Sequence, residues 1–337
     1  MGALEKEIMF YREEFDHFDS LYIGGGTPTL LDINDLEKIM DHLFKNFYFA
    51  QDSEISIEAN PGDLTLEKIM GIKELGFNRI NIGIQSFNDR ELLFLGRRHN
   101  AVEGKNALEK LRSCGFNNLG MDLIYGFEGQ TLKGWSETLN QAIRYQPEHL
   151  SCYELTFEKR TPFWRMKEKG EIKTLSEEKG RDFFLRTSGF LEENGYTHYE
   201  ISNFARERAF YSRHNWKYWK HIPYLGLGPS AHSFKNTSRW WNFRSVRKYC
   251  DTLEHQKAPM EGREKLTEKQ LQLESVSLGL RTIEGFNISE IANNTEMKYR
   301  VSRLQNEGLI TIKEERIVPT KKGFLVAESI PLYLLQD

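Results

Sequence analysis

Short strand-like segments recur through the first 205 residues, each separated from the next by an amphipathic helical stretch, and this alternation restricts the chain to folds built on a parallel sheet. Leu21-Tyr22-Ile23 is an apolar run stopped by three glycines, and Glu54-Ile55-Ser56-Ile57-Glu58 alternates as a half-buried strand does. Further strands are predicted near 79–84, 119–124, 149–155 and 197–201. Between them, Asp32 stands as an N-cap before Ile33, Leu36, Ile39, Met40 and Leu43, and Thr65 opens a helix that ends at Gly76. Leu4, Ile8, Tyr11, Phe15 and Phe18 fall at helical intervals and predict one opening helix with a single apolar face. Six strands alternating with helices give a parallel sheet, open or curled into a barrel.

After about residue 205 the rhythm stops, and aromatic residues crowd into AFYSRHNWKYWKHIPYLGLG and WWNFRSVRKY. From 265 to 337 the pattern is a helix (LTEKQLQLESVSLGL), a short helix (NISEIANN), another helix (EMKYRVSRLQNEG) and a hairpin, which resembles a winged helix. The expected domains are therefore residues 1–205, an α/β partial barrel, and residues 206–337, an α+β region with its winged-helix-like part at 265–337. With 46 Lys plus Arg against 49 Asp plus Glu, the formal charge is -3, so there is no electrostatic footprint for nucleic acid or an anionic membrane. No apolar run approaches the roughly 20 residues that span a bilayer, and MGALEKEIMF lacks the layout of a signal peptide, so a cytoplasmic location is expected. Cys114, Cys152 and Cys250 are too far apart in sequence to read as a disulfide framework or a CxxC-type metal site.

In parallel α/β barrels the functional face lies at the strand C-termini. The unusual polar residues fall there: Gly24, Gly25, Gly26 and Thr27 after the first strand, Glu58 and Asn60 at the end of the second, Gln85 at the end of the third, and Asp122 within the fourth. A Gly-Gly-Gly-Thr-Pro turn lets backbone groups approach a zwitterionic or phosphate-bearing ligand, although it also serves as a plain tight turn. Glu58 suits an ammonium or ribose hydroxyls and Arg97 a carboxylate, while solvation at a strand end or loop is the alternative for each.

GGGTP, SIEANP, NIGIQSF, LGRRH and DLIYGFEGQT, in this order and spacing, resemble the S-adenosylmethionine-binding ridges of the oxygen-independent coproporphyrinogen III oxidase family of radical enzymes. HNWKYW at His214 to Trp219, followed by YLGLGPSAHSF, is similar to the HNxxYW region of the HemW-type haem chaperone branch. The resemblance runs from about residue 3 to the C-terminus and implies a radical SAM-type partial barrel. It further implies that Gly25, Gly26, Thr27, Glu58, Gln85, Arg97 and Asp122 contact S-adenosylmethionine, and that His214, Asn215, Tyr218 and Trp219 form the haem motif with His214 as the candidate iron ligand. Members of the family carry CxxxCxxC, whose thiolates hold a [4Fe-4S] cluster. No such motif occurs in this sequence, and three scattered cysteines do not replace it, so the chain as written is not expected to generate a radical. Relative to the family pattern the chain opens at the helix that follows the cysteine loop. A fragment of a longer protein is the expectation and a natural cluster-less variant its rival; an in-frame CxxxCxxC upstream would decide between them.

The function expected from the resemblance is haem binding and transfer to an acceptor protein whose identity the sequence does not give. Imidazole is the usual haem ligand, and Trp216, Tyr218 and Trp219 can pack on a flat macrocycle. An aromatic cover over the sheet is the alternative role for the same segment, and His198 and His232 read as structural. Two other functions compete: oxidative decarboxylation as a coproporphyrinogen III oxidase, and nucleic-acid binding through the winged-helix pattern. The HNxxYW motif and the missing cysteines oppose the first; only Lys298, Arg300 and Arg303 are basic on the candidate recognition helix, which opposes the second.

Overall fold

A computed structural model describes residues 2–335. The helices are α1 (Gly2–Tyr11), α2 (Ile33–Asn46), α3 (Leu66–Glu74), α4 (Asp89–Phe94), α5 (Ala101–Ser113), α6 (Leu132–Arg144), α7 (Pro162–Glu168), α8 (Glu177–Glu193), α9 (Arg213–Trp219), α10 (Val246–Glu254), α11 (Glu268–Gly279), α12 (Thr295–Asn306), α13 (Lys321–Phe324) and α14 (Ser329–Leu335). A seven-stranded sheet contains β1 (His17–Ile23), β2 (Tyr48–Ala59), β3 (Arg79–Gln85), β4 (Leu119–Tyr125), β5 (His149–Glu154), β6 (Thr197–His198) and β7 (Asn203–Ala205) in the order β1-β2-β3-β4-β5-β7-β6. This curled, mostly parallel sheet is a half barrel.

The chain divides into two compact units, one of residues 22–30 and 55–211, the other of residues 1–21, 31–54 and 212–337. In the first, alternation sorts each strand into two faces. Ile57, Ile80, Ile82, Leu119, Met121, Leu123 and Leu150 are buried, as are Ile69 and Ile72 of α3, Leu108 and Leu111 of α5, and Trp135 and Leu139 of α6. The other face is polar. Its register sets Glu58, Asn81, Gly120 and His149 in one lateral row and Gly83, Asp122, Ser151 and Asn203 in the next.

The second unit holds a three-stranded antiparallel sheet of β8 (His232–Lys235), β9 (Ser238–Asn242) and β10 (Met260–Lys265) and another of β11 (Phe286–Asn287), β12 (Ile310–Lys313) and β13 (Arg316–Pro319). Val276, Leu280, Phe286, Met297, Val301, Leu304, Ile310 and Ile317 form the core beneath the latter. Glu7 of α1 is fully buried and accepts from Gly228 N (2.7 Å), Asn242 Nδ2 and Tyr249 Oη, which ties α1 to β9 and α10. Burial raises the Glu7 carboxyl above its usual range, while those donors oppose the rise.

Three expectations need correction. The opening helix stops at Tyr11, and Phe18 belongs to β1; Phe15 and Phe18 keep their burial against Ile8 and Tyr11 because an apolar cluster can be filled from helix, loop and strand alike. The sheet is not wholly parallel, because the segment at 197–201 is a two-residue strand that turns at Asn203 N to Glu200 O (3.3 Å) and returns as β7, antiparallel to both β5 and β6. NISEIANN is a single 3-10 turn, Ile288–Glu290, held by Asn287 through a capping box rather than a helix.

Candidate functional site

The GGG turn that follows β1 is built by backbone freedom and close approach. Gly25 and Gly26 have φ of 84° and 69°, a left-handed region that other residues adopt only with strain. A Cβ on Gly24 would run into the Tyr22 ring and the Glu58 carboxylate. Glu58 uses both oxygens in place, accepting from Tyr22 Oη at 2.6 Å and from Gly25 N at 3.2 Å. Burial and the adjoining Glu58 charge push the Tyr22 phenol far above its ordinary range, so it stays a donor.

Gln85 closes β3 with φ 65°, a left-handed geometry for a non-glycine residue at a strand end. Arg97, between α4 and α5, donates to Gly83 O at 3.4 Å, and a Cβ on Gly83 would meet both Gln85 Nε2 and Arg97 Nη2. Gln85 Oε1 and Arg97 Nε are buried polar atoms with no hydrogen-bond partner. Such atoms cost about 1–3 kcal/mol each unless something completes them. Asp122 lies on the same face, hydrogen-bonded by Ser151; desolvation first and Glu58 second raise its carboxyl to about 6, against the pull of Arg79 and Arg97. The geometry thus brings together Gly25, Glu58, Gln85, Arg97 and Asp122 in one unit, with Gly26 and Thr27 in the same turn. Carboxylates for hydroxyls or an ammonium, a guanidinium for a carboxylate and unfilled polar atoms fit S-adenosylmethionine. Asn60 serves the backbone instead, capping the turn Pro61–Asp63 by accepting from Gly62 N at 3.1 Å.

Beside these residues stands a polar set that sequence reasoning missed. Arg79 is fully buried and donates to Asn81 Oδ1 (3.3 Å), Asn118 Oδ1 (3.3 Å) and Phe210 O (3.0 Å). His149 Nε2 lies 2.7 Å from Tyr199 Oη, and burial holds this imidazole well below its usual range, hence neutral. Gly120 makes room for Asn81, whose Oδ1 a Cβ at that position would overlap. Strand register places Asn81, Gly120 and His149 in one lateral row, but a polar strand face ordinarily reads as solvent-facing.

The aromatic motif forms α9. Ser212 caps it by accepting from Asn215 N (3.2 Å), and the Glu54 carboxylate accepts from Arg213 N (3.2 Å) and His214 N (3.3 Å). The His214 ring meets Tyr218 edge-on at 5.0 Å, and Tyr218 meets Tyr224 at 4.5 Å. Burial, with Lys217 adding to it, lowers His214 to about 4, so its imidazole is neutral near pH 7 and fits a haem iron. Trp219 lies under Arg281, 4.8 Å from ring centroid to guanidinium, with its indole nitrogen buried and unpartnered. His198 is structural as expected, bonded to Ser188 Oγ and Ile201 O and stacked on Phe204, whereas His232 is exposed beside Trp241.

The cysteines of the chain do not fit a [4Fe-4S] cluster. Cys114 caps α5, Cys152 is buried in β5 and Cys250 lies on α10, all as free thiols. Burial pushes the Cys152 thiol far above its normal range, the reverse of what a ligating thiolate needs. Among the described residues no three His, Cys, Asp or Glu side chains group as a metal site, and no helix is long and apolar enough to cross a membrane.

Residues 2–142 match the Radical SAM superfamily. The chain is 32% identical to the haem chaperone HemW of Lactococcus lactis over 96% of its length and 88% of that protein, and 32% identical to HemW of Bacillus subtilis over 98% and 89%. HemW of Synechocystis is 34% identical over 91% and 75%. Among solved structures, Escherichia coli coproporphyrinogen III oxidase HemN, a radical SAM enzyme, superposes with a TM-score of 0.83 at 25% identity, covering 99% of this chain and 82% of that one. Sequence relatives over nearly the whole length and a shared half barrel agree, and the chain belongs to the HemW haem chaperone family of radical SAM proteins.

Proposed function

We propose that this protein binds haem through His214 and passes it to an acceptor protein. The observation that carries the reading is a neutral, half-buried imidazole on a helix of three further aromatic residues, Trp216, Tyr218 and Trp219, in a chain of the HemW family. Haem supplies an iron atom that takes a neutral imidazole nitrogen and a flat apolar ring that stacks on aromatic side chains. Glu58, Gln85, Arg97 and Asp122, with Gly25, Gly26 and Thr27, form a cleft for S-adenosylmethionine, in which Arg97 pairs with the carboxylate and Glu58 with hydroxyl groups. Asn215, Tyr218 and Trp219 complete the haem motif.

Family membership favours haem handling over oxidative decarboxylation, and the cysteines point the same way. Nucleic-acid binding has less support: on α12, Arg303 pairs with Glu307 at 3.0 Å, Arg300 pairs with Glu296, and both face the Tyr333 ring. Titration of the purified protein with haem tests the main reading. A saturable absorption band that His214→Ala weakens is expected; an unchanged band in the variant removes His214 as ligand, and no band in the wild-type chain removes the function.

A further inference from the structure

Helix α9 is only seven residues long and buries none of them fully, so its position depends on what grips it. At its N-terminal end, Glu54 accepts two backbone N–H groups and Arg213 pairs with Asp52 at 3.2 Å, and further along the helix Lys217 pairs with Asp19. The C-terminal end is gripped differently. Arg281, just beyond α11, covers the Trp219 ring. Lys220 pairs with Glu284 at 2.6 Å while lying 4.9 Å from the Trp216 ring centroid. His221 Nε2 is 3.3 Å from Glu274 of α11, and Glu274 also holds Arg239 at 2.7 Å. Glu274, Arg281 and Glu284 thus converge on Trp219, Lys220 and His221 from one stretch of the winged-helix-like region.

These contacts are partly desolvated: side-chain exposure is 21% for Lys220, 30% for Glu284 and 29% for Arg281. Ion pairs and cation–π contacts are worth more in such settings than on an open surface. An imidazole that ligates iron must be held within a narrow range of position, and this depends on groups that do not touch the ligand. On the reading that His214 binds haem, we infer that Arg281 and Glu284 are positioning residues for the haem motif, acting through Trp219 and Lys220, and that the winged-helix-like region serves to hold α9 in its binding geometry. This gives the C-terminal region a role that needs no nucleic acid.

Haem titrations of the full chain test the inference, comparing wild type with Arg281→Ala, Glu284→Gln and the double variant, alongside the conservative Arg281→Lys and a control, Arg303→Ala, whose pair with Glu307 lies at the C-terminal end of α12. The double variant is expected to bind haem about tenfold more weakly and to shift the absorption spectrum away from the histidine-ligated form. Arg281→Lys, which keeps a cation over Trp219, restores most of the affinity, and Arg303→Ala matches wild type. Thermal melts establish that each variant is folded; if the double variant is not, the near-isosteric Glu284→Gln decides by the same two readouts. Wild-type affinity and spectrum in the folded variants overturn the inference and leave haem binding by His214 standing. Absence of a haem complex in the wild-type chain overturns both.

Discussion

Asp122 sets stability against use at the level of one residue. Its carboxyl is raised from 3.8 to about 6, chiefly by burial, so the folded chain holds this proton more tightly than the unfolded one does. Between those values the folded state binds more protons, and stability falls as pH rises from about 4 through 6. At pH 7 the carboxylate therefore weakens the fold by an amount bounded at about 3 kcal/mol. Asp122→Asn is expected to raise stability at pH 7 by about 1–3 kcal/mol with little gain at pH 4, read by denaturant unfolding at the two pH values, while weakening the proposed S-adenosylmethionine cleft. Equal gains at both pH values would mean that the carboxylate charge is not the cause. Gly120 presents the opposite case, a residue with no side chain that the fold cannot replace. Alanine there would overlap Asn81 Oδ1, in a row where Asn81 accepts from the buried Arg79. Gly120→Ala is predicted to destabilise by about 1–3 kcal/mol, visible as a lowered melting temperature; a neutral melt would show that Asn81 can turn aside freely.

Among the elements, α9 links local chemistry to proton binding. The unfolded chain protonates His214 near the usual 6.5, the folded chain only near 4, so stability is lost as pH falls from 6.5 towards 4. The haem band is accordingly expected to persist on acidification past pH 5 and to disappear only around pH 4 or below; a midpoint near 6.5 in a spectroscopic titration would contradict a desolvated imidazole. Elements differ in how well the sequence announces them. Strands β3, β4 and β5 were legible to within a residue or so, because each is a run of apolar and polar residues bounded by turn signals, and Asp32 and Thr65 cap their helices as expected. The end of α1 was not, since Phe15 and Phe18 continue a helical spacing after the helix itself has stopped. Arg79 and His149 stayed hidden for a different reason. Their partners Phe210 and Tyr199 lie 131 and 50 residues away in sequence, and only the curl of the sheet makes a polar face an interior. Glu58, Gln85, Arg97 and Asp122 stood out in the sequence because strand ends are where such folds place chemistry, and they lie at one polar face of the sheet. Tyr22, which holds Glu58, could not, because as part of an apolar run it reads only as strand.

For the whole molecule, the question is what a radical SAM scaffold does with cysteines on a helix cap, within a strand and on another helix. A [4Fe-4S] cluster needs several thiolates on one short loop, and the lowered thiol acidity of buried Cys152 moves that residue away from ligation. Incubation of the chain with iron and sulfide under reducing conditions is therefore expected to leave iron well below four atoms per chain, without cluster absorption. The cleft would then meet S-adenosylmethionine with protein groups alone. Glu58 and Asp122 can address hydroxyls and Arg97 a carboxylate, but part of Glu58's capacity is already taken by Tyr22 and Gly25 N. Calorimetric titration is predicted to give a dissociation constant at or above roughly 0.1 mM, since a ligand held without its metal chelate retains only these partly committed hydrogen bonds. Haem affinity measured on the same preparation carries the contrast: if His214 and its aromatic neighbours act without the cluster, haem binds tightly where S-adenosylmethionine binds weakly. Tight S-adenosylmethionine binding by the cluster-free protein would instead mean that the polar face, with Gln85 Oε1 and Arg97 Nε completed by the ligand, suffices to hold it.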